Sequence, residues 1–503
     1  MIFEAGEIGG MIGAACKGNL RAKVTSVSLD SRDCGPGSLF VALKGERADG
    51  HDYIVQALER GASCALAEKE KAHSVLASVP PGLLEKSCLI FLDNTLHGFQ
   101  RLAREHVRRI RGLLRIGVTG SSGKTTTKEC LGAILRAAYP EGTVAVGKGN
   151  LNSDSGLPLA LFSLEPTHKA AVFEMGMNRR GEMDELAELF EPDIALITNI
   201  GTAHIGMIGS RQGIAEEKKK IFSRFTGSQK GFVWDEDEFK QFLSSGVKGA
   251  VREFGLRSTP GFEGAESRGL AGWTLSWKGR KISYPLPGRH NLLDALAALA
   301  VAHELGLDPD RTAAGLASVK PLFGRSELFE GRISLFRDCY NANPDSMRAV
   351  IDLCDEVEWP GRKVYVLGGM RELGETLASE HVVLGERAAR SQAKALFFFG
   401  EEAGISARSA EKALAMSRAA KASSRAAPAV SGTEPEAGEP MVFHATGMEA
   451  LVSQVLSYLK DGDLVLLKAS RGLELERLAE ALFAAGWADG EGPDTSPQGA
   501  RAC

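Results

Sequence analysis

The sequence predicts an α/β protein of three domains built around a mostly parallel sheet. Three observations carry this reading. The chain has 503 residues, too many for one hydrophobic core, and that length suggests about three domains. Residues 114–127, LRIGVTGSSGKTTT, read as a short buried strand, a glycine turn and a helix start, the signature of a P-loop mononucleotide-binding sheet. From about 113 to 323 apolar strands alternate with helical stretches, the pattern of a parallel sheet covered on both faces.

Composition narrows the class. A hydrophobic content of 44% and a charged content of 25% are ordinary for a soluble globular protein. A net charge of −4 gives no bulk electrostatic reason to expect nucleic acid as a partner. The 10 His form no zinc pattern. The 8 Cys include no C-x-x-C pair and read as reduced thiols rather than disulfides. The N-terminus has early acids and no basic region ahead of a long apolar run, unlike a signal peptide. No run of about 18 apolar residues marks a membrane span. A cytoplasmic monomer is expected.

Residues 1–112 form the first block. Residues 24–30 alternate as a strand, Gly35-Pro36-Gly37 turns, and 38–43 form a second strand. Asp49-Gly50-His51 leads into a helix that ends at Gly61. By their chemistry alone Ser31, Arg32, Asp49 and His51 are loop polars.

The second block spans 113–323. Gly120-Ser121-Ser122-Gly123 is a flexible turn, and Lys124-Thr125-Thr126-Thr127 opens a helix whose apolar face continues through Leu131, Ile134 and Ala138. Inward backbone N–H groups, the helix dipole and the Lys124 charge make an anion site. The Thr125 hydroxyl sits where a magnesium ligand is expected, so a nucleoside triphosphate belongs here. Val118 stands where the commoner loop has its first glycine, leaving the shorter T-G-x-x-G-K-T turn. The glycines and amides of 147–158 suit a tight loop that turns side chains, among them Asn152, toward a ligand. Glu174 interrupts the apolar strand 171–175. A carboxylate there is costly unless paired or metal-bound, and beside a phosphate loop magnesium is the natural partner. The strand 193–199 leads to His204, by itself a loop histidine. Residues 215–222, with Lys218, Lys219 and Lys220, read alone as a solvated helix face. Residues 230–285, with Trp234, Trp273 and Trp277, read as a small antiparallel elaboration. Asn291 opens an Ala/Leu-rich helix.

The third block spans 324–503. Asp338-Cys339-Tyr340-Asn341-Ala342-Asn343-Pro344 follows a strand and has the Pro and Asn of an ordinary turn. Residues 364–374 are a strand and glycine turn without a complete G-x-G-x-x-G. Residues 463–467 are an apolar strand followed by Lys468, Ser470 and Arg471. Residues 419–440 and 490–503 are too poor in apolar side chains to order themselves; the first reads as a disordered surface insertion and the second as a disordered tail.

In order, from about residue 20 to 480, these motifs resemble the Mur ligase family. The short phosphate loop is shared with the folylpolyglutamate synthases of the same superfamily, in which ATP activates a carboxylate for attack by an amine. Residues 29–62 resemble the uridine-nucleotide domain of the ligases that add the third and later residues of the stem peptide. FEMGMNRRGEM at 173–183 is similar to the segment of the ligase that adds D-alanyl-D-alanine. The resemblance implies a small N-terminal α/β UDP-sugar domain, with Ser31, Arg32 and the Asp49–His51 loop holding the UDP-sugar, and a Rossmann-like C-terminal domain. It implies ATP held by Gly120, Ser121, Ser122, Gly123, Lys124, Thr125 and Thr126, with Asn291 at the adenine, Asp338 at the ribose and Arg325 at phosphate. It implies catalytic roles for Lys124, Glu174, His204 and Lys218, with two Mg2+ ions on Thr125, Glu174, His204 and a carbamylated Lys218. It places Asn152, Asn341, Asn343, Lys468 and Arg471 at the substrates, UDP-N-acetylmuramoyl-tripeptide and D-Ala-D-Ala. Ser153, Asp294, Gly369 and Ala469 depart from the family pattern. The implied activity is an ATP-dependent amide ligation of peptidoglycan precursor synthesis. The alternatives are the sibling ligase adding the third residue and a P-loop protein that binds ATP without ligation.

Overall fold

The computed structural model describes residues 3–45, 48–424 and 439–490. In the first block a five-stranded sheet runs in the order Ala15–Gly18, Cys88–Leu92, Cys64–Glu68, Ser38–Val41, Ser26–Ser28. The last four are parallel and the first is antiparallel to its neighbour. The strand expected over 24–30 is divided. Lys23–Val24 leaves to pair with Phe3–Glu4, and only Ser26–Ser28 joins the sheet. One face packs on Ile8, Val24 and Phe99, the other on Ile54, Leu58 and Val75.

The helix Thr95–Arg108 serves two cores. Its Phe99 and Leu102 enter the first, while Ala103 and Val107 enter the core of the central sheet. A helix with two apolar stripes can seat one sheet against another.

The central sheet has six parallel strands in the order Ala250–Phe254, Lys230–Trp234, Ile194–Ile197, Leu114–Thr119, Ala170–Glu174, Val144–Val146. Its inner strands are buried except at some of their ends and covered on both faces, as expected for parallel strands joined by helices. The reading of 230–285 as one antiparallel unit is corrected here. Lys230–Trp234 and Ala250–Phe254 extend the parallel sheet, and only Phe262–Ser267, Trp273–Trp277 and Arg280–Tyr284 form an antiparallel sheet. The tryptophans misled because aromatic side chains favour either kind of strand. Trp277 and Tyr284 pack into the central core, and Leu270, between two of these strands, into the C-terminal one.

The third block is another six-stranded sheet, in the order Glu327–Phe329, Ser334–Arg337, Leu464–Lys468, Lys363–Gly368, Ala395–Phe399, Met441–Ala445, parallel except for the first strand. The helix Ala403–Ser424 runs through the start of the insertion expected at 419. Its run of alanines, the strongest helix former, carries it on. The rest of that stretch, from 425 to 438, lies outside the described residues, as do 491–503. Among the described residues no helix is long and apolar enough to cross a membrane, and the seven cysteines described are free.

Candidate active site

The strand Leu114–Thr119 ends centrally in its sheet, and its turn delivers the helix Lys124–Ala138. Gly123 caps that helix at φ 82°, in the left-handed region. A side chain there would also collide with the Asp294 carboxyl, so glycine is required twice over. The neighbouring strand end holds the turn. Asn199 accepts from the Ser122 amide at 3.1 Å and donates its Nδ2 to the Ser122 carbonyl at 3.1 Å, and the Thr198 hydroxyl donates to that same carbonyl. Thr198 and Asn199 were not singled out in the sequence, where a Thr-Asn pair after a strand is only a turn signal.

Two lysines, half-buried Lys124 and buried Lys218, converge on one oxygen. Lys124 Nζ and Lys218 Nζ each donate to the Gly120 carbonyl at 2.9 Å. Lys218 is 1% exposed. Burial, and then the nearby Lys124 charge, pull its pKa well below the ordinary lysine value. Lys124 is also lowered, chiefly by burial. The two other lysines of the run point elsewhere: Lys219 donates to the Phe242 carbonyl and Lys220 to Glu217.

Opposite them stands Glu174. The Thr125 hydroxyl donates to its Oε2 at 2.8 Å and Asn152 Nδ2 to its Oε1 at 2.8 Å. Burial disfavours its charge, but Lys124, Arg325 and the Thr125 hydroxyl outweigh burial and hold the pKa below the usual carboxylate value. The loop that carries Asn152 is tied down by two groups that sequence reasoning passed over. Lys128 Nζ donates to the Gly147 carbonyl at 2.6 Å, and the Glu182 carboxylate accepts from the amides of Asn178, Arg179 and Asp154.

Asp294 is buried and accepts from the Thr127 hydroxyl at 3.0 Å. Burial raises its pKa well above the ordinary value. A narrow cavity beside the helix is lined by Thr126, Leu286, Asn291, Val319, Arg325 and Ser326. Asn291 Nδ2 is committed to the Pro287 carbonyl and the Ser326 hydroxyl, so its amide oxygen remains to accept from a ligand.

The C-terminal domain closes the rim. Asn343 Nδ2 donates to the Ser122 hydroxyl at 3.2 Å. Asp345 Oδ2 accepts from both the amide and the hydroxyl of Thr202. His204, in the left-handed region at φ 63°, brings its Nδ1 to 2.9 Å from the Glu372 carboxylate, a close contact without hydrogen-bond alignment. Arg325 stacks on Tyr340, 4.1 Å from the ring centre.

Other expected contacts are taken up within the protein. Lys468 is buried, and its ammonium donates to Asp338 and to the Asn341 carbonyl at 2.7 and 3.0 Å. That engagement assigns it to holding the 338–341 loop rather than to a peptide carboxylate. Asp338 also accepts from the Ser326 amide. Arg471 pairs with Glu476 and faces Phe323 and Tyr340. In the N-terminal domain, far along the chain from these loops, the Ser31 hydroxyl donates to Gln56 and Arg32 grips Asp30 while its side chain is 75% exposed. Buried His51 pairs through Nδ1 with Asp49 at 2.6 Å and accepts the Glu68 amide at Nε2. Both ring nitrogens are thus used, and His51 shapes the loop instead of offering a donor.

Comparison with known proteins gives the family. Three family models match: Mur ligase family, catalytic domain, over 23–96; Mur ligase middle domain, over 118–302; and Mur ligase, glutamate ligase domain, over 324–471. The UDP-N-acetylmuramoyl-tripeptide–D-alanyl-D-alanine ligase of Treponema pallidum is 39% identical over 91% of this chain and 93% of its own. The crystal structure of MurF from Acinetobacter baumannii superposes with a TM-score of 0.81 at 26% identity, covering 96% of this chain and 99% of that one. MurF ligase from Thermotoga maritima, solved in complex with ADP, gives 0.73 at 26% identity over 91% of this chain and 97% of that one.

Proposed function

This chain belongs to the Mur ligase family, and from that premise we propose that it joins D-alanyl-D-alanine to UDP-N-acetylmuramoyl-tripeptide at the expense of ATP. The observation that carries the reading is the convergence of Lys124, Lys218, Thr125 and Glu174 on one glycine turn, in a chain matched along 93% of a ligase with that activity.

ATP lies with its phosphates on the turn 120–126, where helix N–H groups and Lys124 offset their charge. Its base lies on the side of the turn where Asn291 and Ser326 line a cavity with room for about one water, which must widen to admit it. The donor set of Thr125 and Glu174 fits magnesium: two hard oxygens 2.8 Å apart, beside a phosphate site that completes the coordination. Among the described residues no three His, Cys, Asp or Glu gather into a metal cage, and magnesium carried on phosphates needs none. What magnesium supplies at Thr125 and Glu174 is neutralisation of the charge that develops on the transferred phosphoryl group. Burial disfavours the charged form of Lys218, and a carbamate on it, together with His204, would supply the donor set we assign to a second magnesium.

The terminal carboxylate of the tripeptide attacks the γ-phosphorus and ADP leaves. The dipeptide amine then attacks the acyl carbon and phosphate leaves. An acyl phosphate hydrolyses readily, so water must be kept out. Asn343 on Ser122 and Asp345 on Thr202 bring the C-terminal domain over the turn. Asn152 orients Glu174 and fixes the substrate loop. The N-terminal loops at Ser31, Arg32 and 49–51 take the UDP-sugar, with the Arg32 fork suited to a diphosphate.

The test is phosphate release with ATP, magnesium and UDP-MurNAc-tripeptide, with and without D-Ala-D-Ala. Release that depends on the dipeptide, with UDP-MurNAc-pentapeptide as product, is the expected result. Release only with a free diamino acid and the UDP-dipeptide moves the chain to the sibling activity. No stimulated release with any amine overturns ligation.

A further inference from the structure

The segment 201–206 follows the strand Ile194–Ile197 and enters the short helix Ile205–Ile208, and its two glycines are not required by their own backbone. Neither Gly201 nor Gly206 is among the positive-φ glycines, and Gly206 lies in that helix. Alanine suits such backbone and is the better helix former. What excludes a side chain is the other domain. A Cβ on Gly201 would displace the Asp345 carboxyl from its place and stand 3.3 Å from Ser121 Cβ. A Cβ on Gly206 would stand 2.5 Å from the Gly374 nitrogen and 2.8 Å from the Glu372 carbonyl oxygen, closer than real contacts allow.

The two surfaces also bond. The Gly206 amide donates to the Glu372 carbonyl at 3.2 Å, and Asp345 Oδ2 accepts from the Thr202 amide at 2.8 Å and hydroxyl at 2.9 Å. Between them Ile205 packs against both the central and the C-terminal cores. Apolar contact, backbone bonding and missing side chains therefore coincide on one short loop, which also carries His204.

We propose that residues 201–206 are the seat on which the C-terminal domain docks, that Gly206 against Gly374 sets how closely the domains approach, and that Asp345 is the positioning residue that latches them. The inference rests on the ligase reading for its kinetic consequence but not for its geometry. Docking brings Asn343 to Ser122 and Arg325 to the field of Glu174, so a seat blocked by one methyl leaves the P-loop intact and the site incomplete.

The test uses the full chain. Gly206→Ala keeps its helical backbone, so its melting temperature should match or exceed the parent's. Its kcat for the dipeptide-dependent reaction should fall by at least about tenfold, roughly 1.4 kcal/mol of barrier, while ADP binding measured by calorimetry changes by less than about threefold. Small-angle scattering of the ADP-bound protein should give a larger radius of gyration for Gly206→Ala than for the parent. A second pair tests the latch. Both Thr202 bonds land on one oxygen, so Asp345→Asn can make them and should retain most of kcat, whereas Asp345→Ala should lose it. Parent-like kcat and radius in Gly206→Ala overturn the seat. Equal loss in Asp345→Asn and Asp345→Ala overturns the latch. A parent without ligase activity sinks the ligase reading alone, and the scattering comparison still decides the seat.

Discussion

The nucleotide turn and the N-terminal loops place similar polar residues in opposite physical states. At the turn, two lysine amino groups share one carbonyl oxygen and a buried carboxylate faces them. The carboxylate has a donor on each oxygen, but the two lysines meet only backbone carbonyls, and burial works against every charge present. In the N-terminal loops each polar group is already matched: Arg32 by Asp30, Ser31 by Gln56, His51 by Asp49 and the Glu68 amide. The first arrangement holds electrostatic tension that an anionic ligand relieves. The second is complete by itself, and a ligand there must exchange one partner for another. Desolvation makes the difference, because an exposed pair is screened by water and a buried charge is not.

If that contrast is correct, substitutions at the turn act on kcat and those in the N-terminal loops act on KM. The largest effect should come from Lys124→Ala, with kcat lowered on the order of 10²–10³-fold, the range for removing a group aimed at developing charge. Steady-state rates under saturating substrates check it. Lys218→Ala should follow closely, with ADP binding retained, because Lys218 meets the turn at the Gly120 carbonyl and not at its amides. Lys219→Ala should keep nearly full activity, since its ammonium is directed to the Phe242 carbonyl. Equal losses at 218 and 219 would remove the distinction between the lysines.

A smaller effect is expected at the exposed fork. Arg32→Ala should raise the KM for the UDP-linked substrate about tenfold, the cost of one charged hydrogen bond, with kcat unchanged. Asp30→Ala frees the same guanidinium and should lower that KM. If both variants match the parent, Arg32 does not meet the substrate.

The smallest effect concerns stability. Burial raises the Asp49 pKa, but hydrogen bonds from His51 and Lys71 outweigh it and bring the group to about 2 from 3.8. A carboxylate depressed by folding contributes stability above its unfolded value, and that contribution disappears as pH falls toward the folded value. The parent should therefore be more stable than Asp49→Asn at pH 7, and the gap should close between pH 3.8 and about 2. Denaturant midpoints for both proteins across that window check the sign.

The sequence by itself determined the phosphate turn, because glycine, lysine and threonine at that spacing after an apolar strand have one chemical use. It also determined the parallel class, through apolar runs too continuous for a half-exposed sheet. Local composition misjudged 230–254, since a strand's partner is chosen by contacts across long separations and not by its own residues. The same limit hid the site's finer structure. Three adjacent lysines at 218–220 are alike in sequence, and only packing separates the one buried against the turn from the two directed elsewhere. Lys468 read as a free cation until folding brought Asp338, 130 residues away in the chain, against it. Gly201 and Gly206 look like loop glycines in the sequence. Their reason lies in a second domain, because whether space exists for a methyl group is a property of the tertiary structure alone.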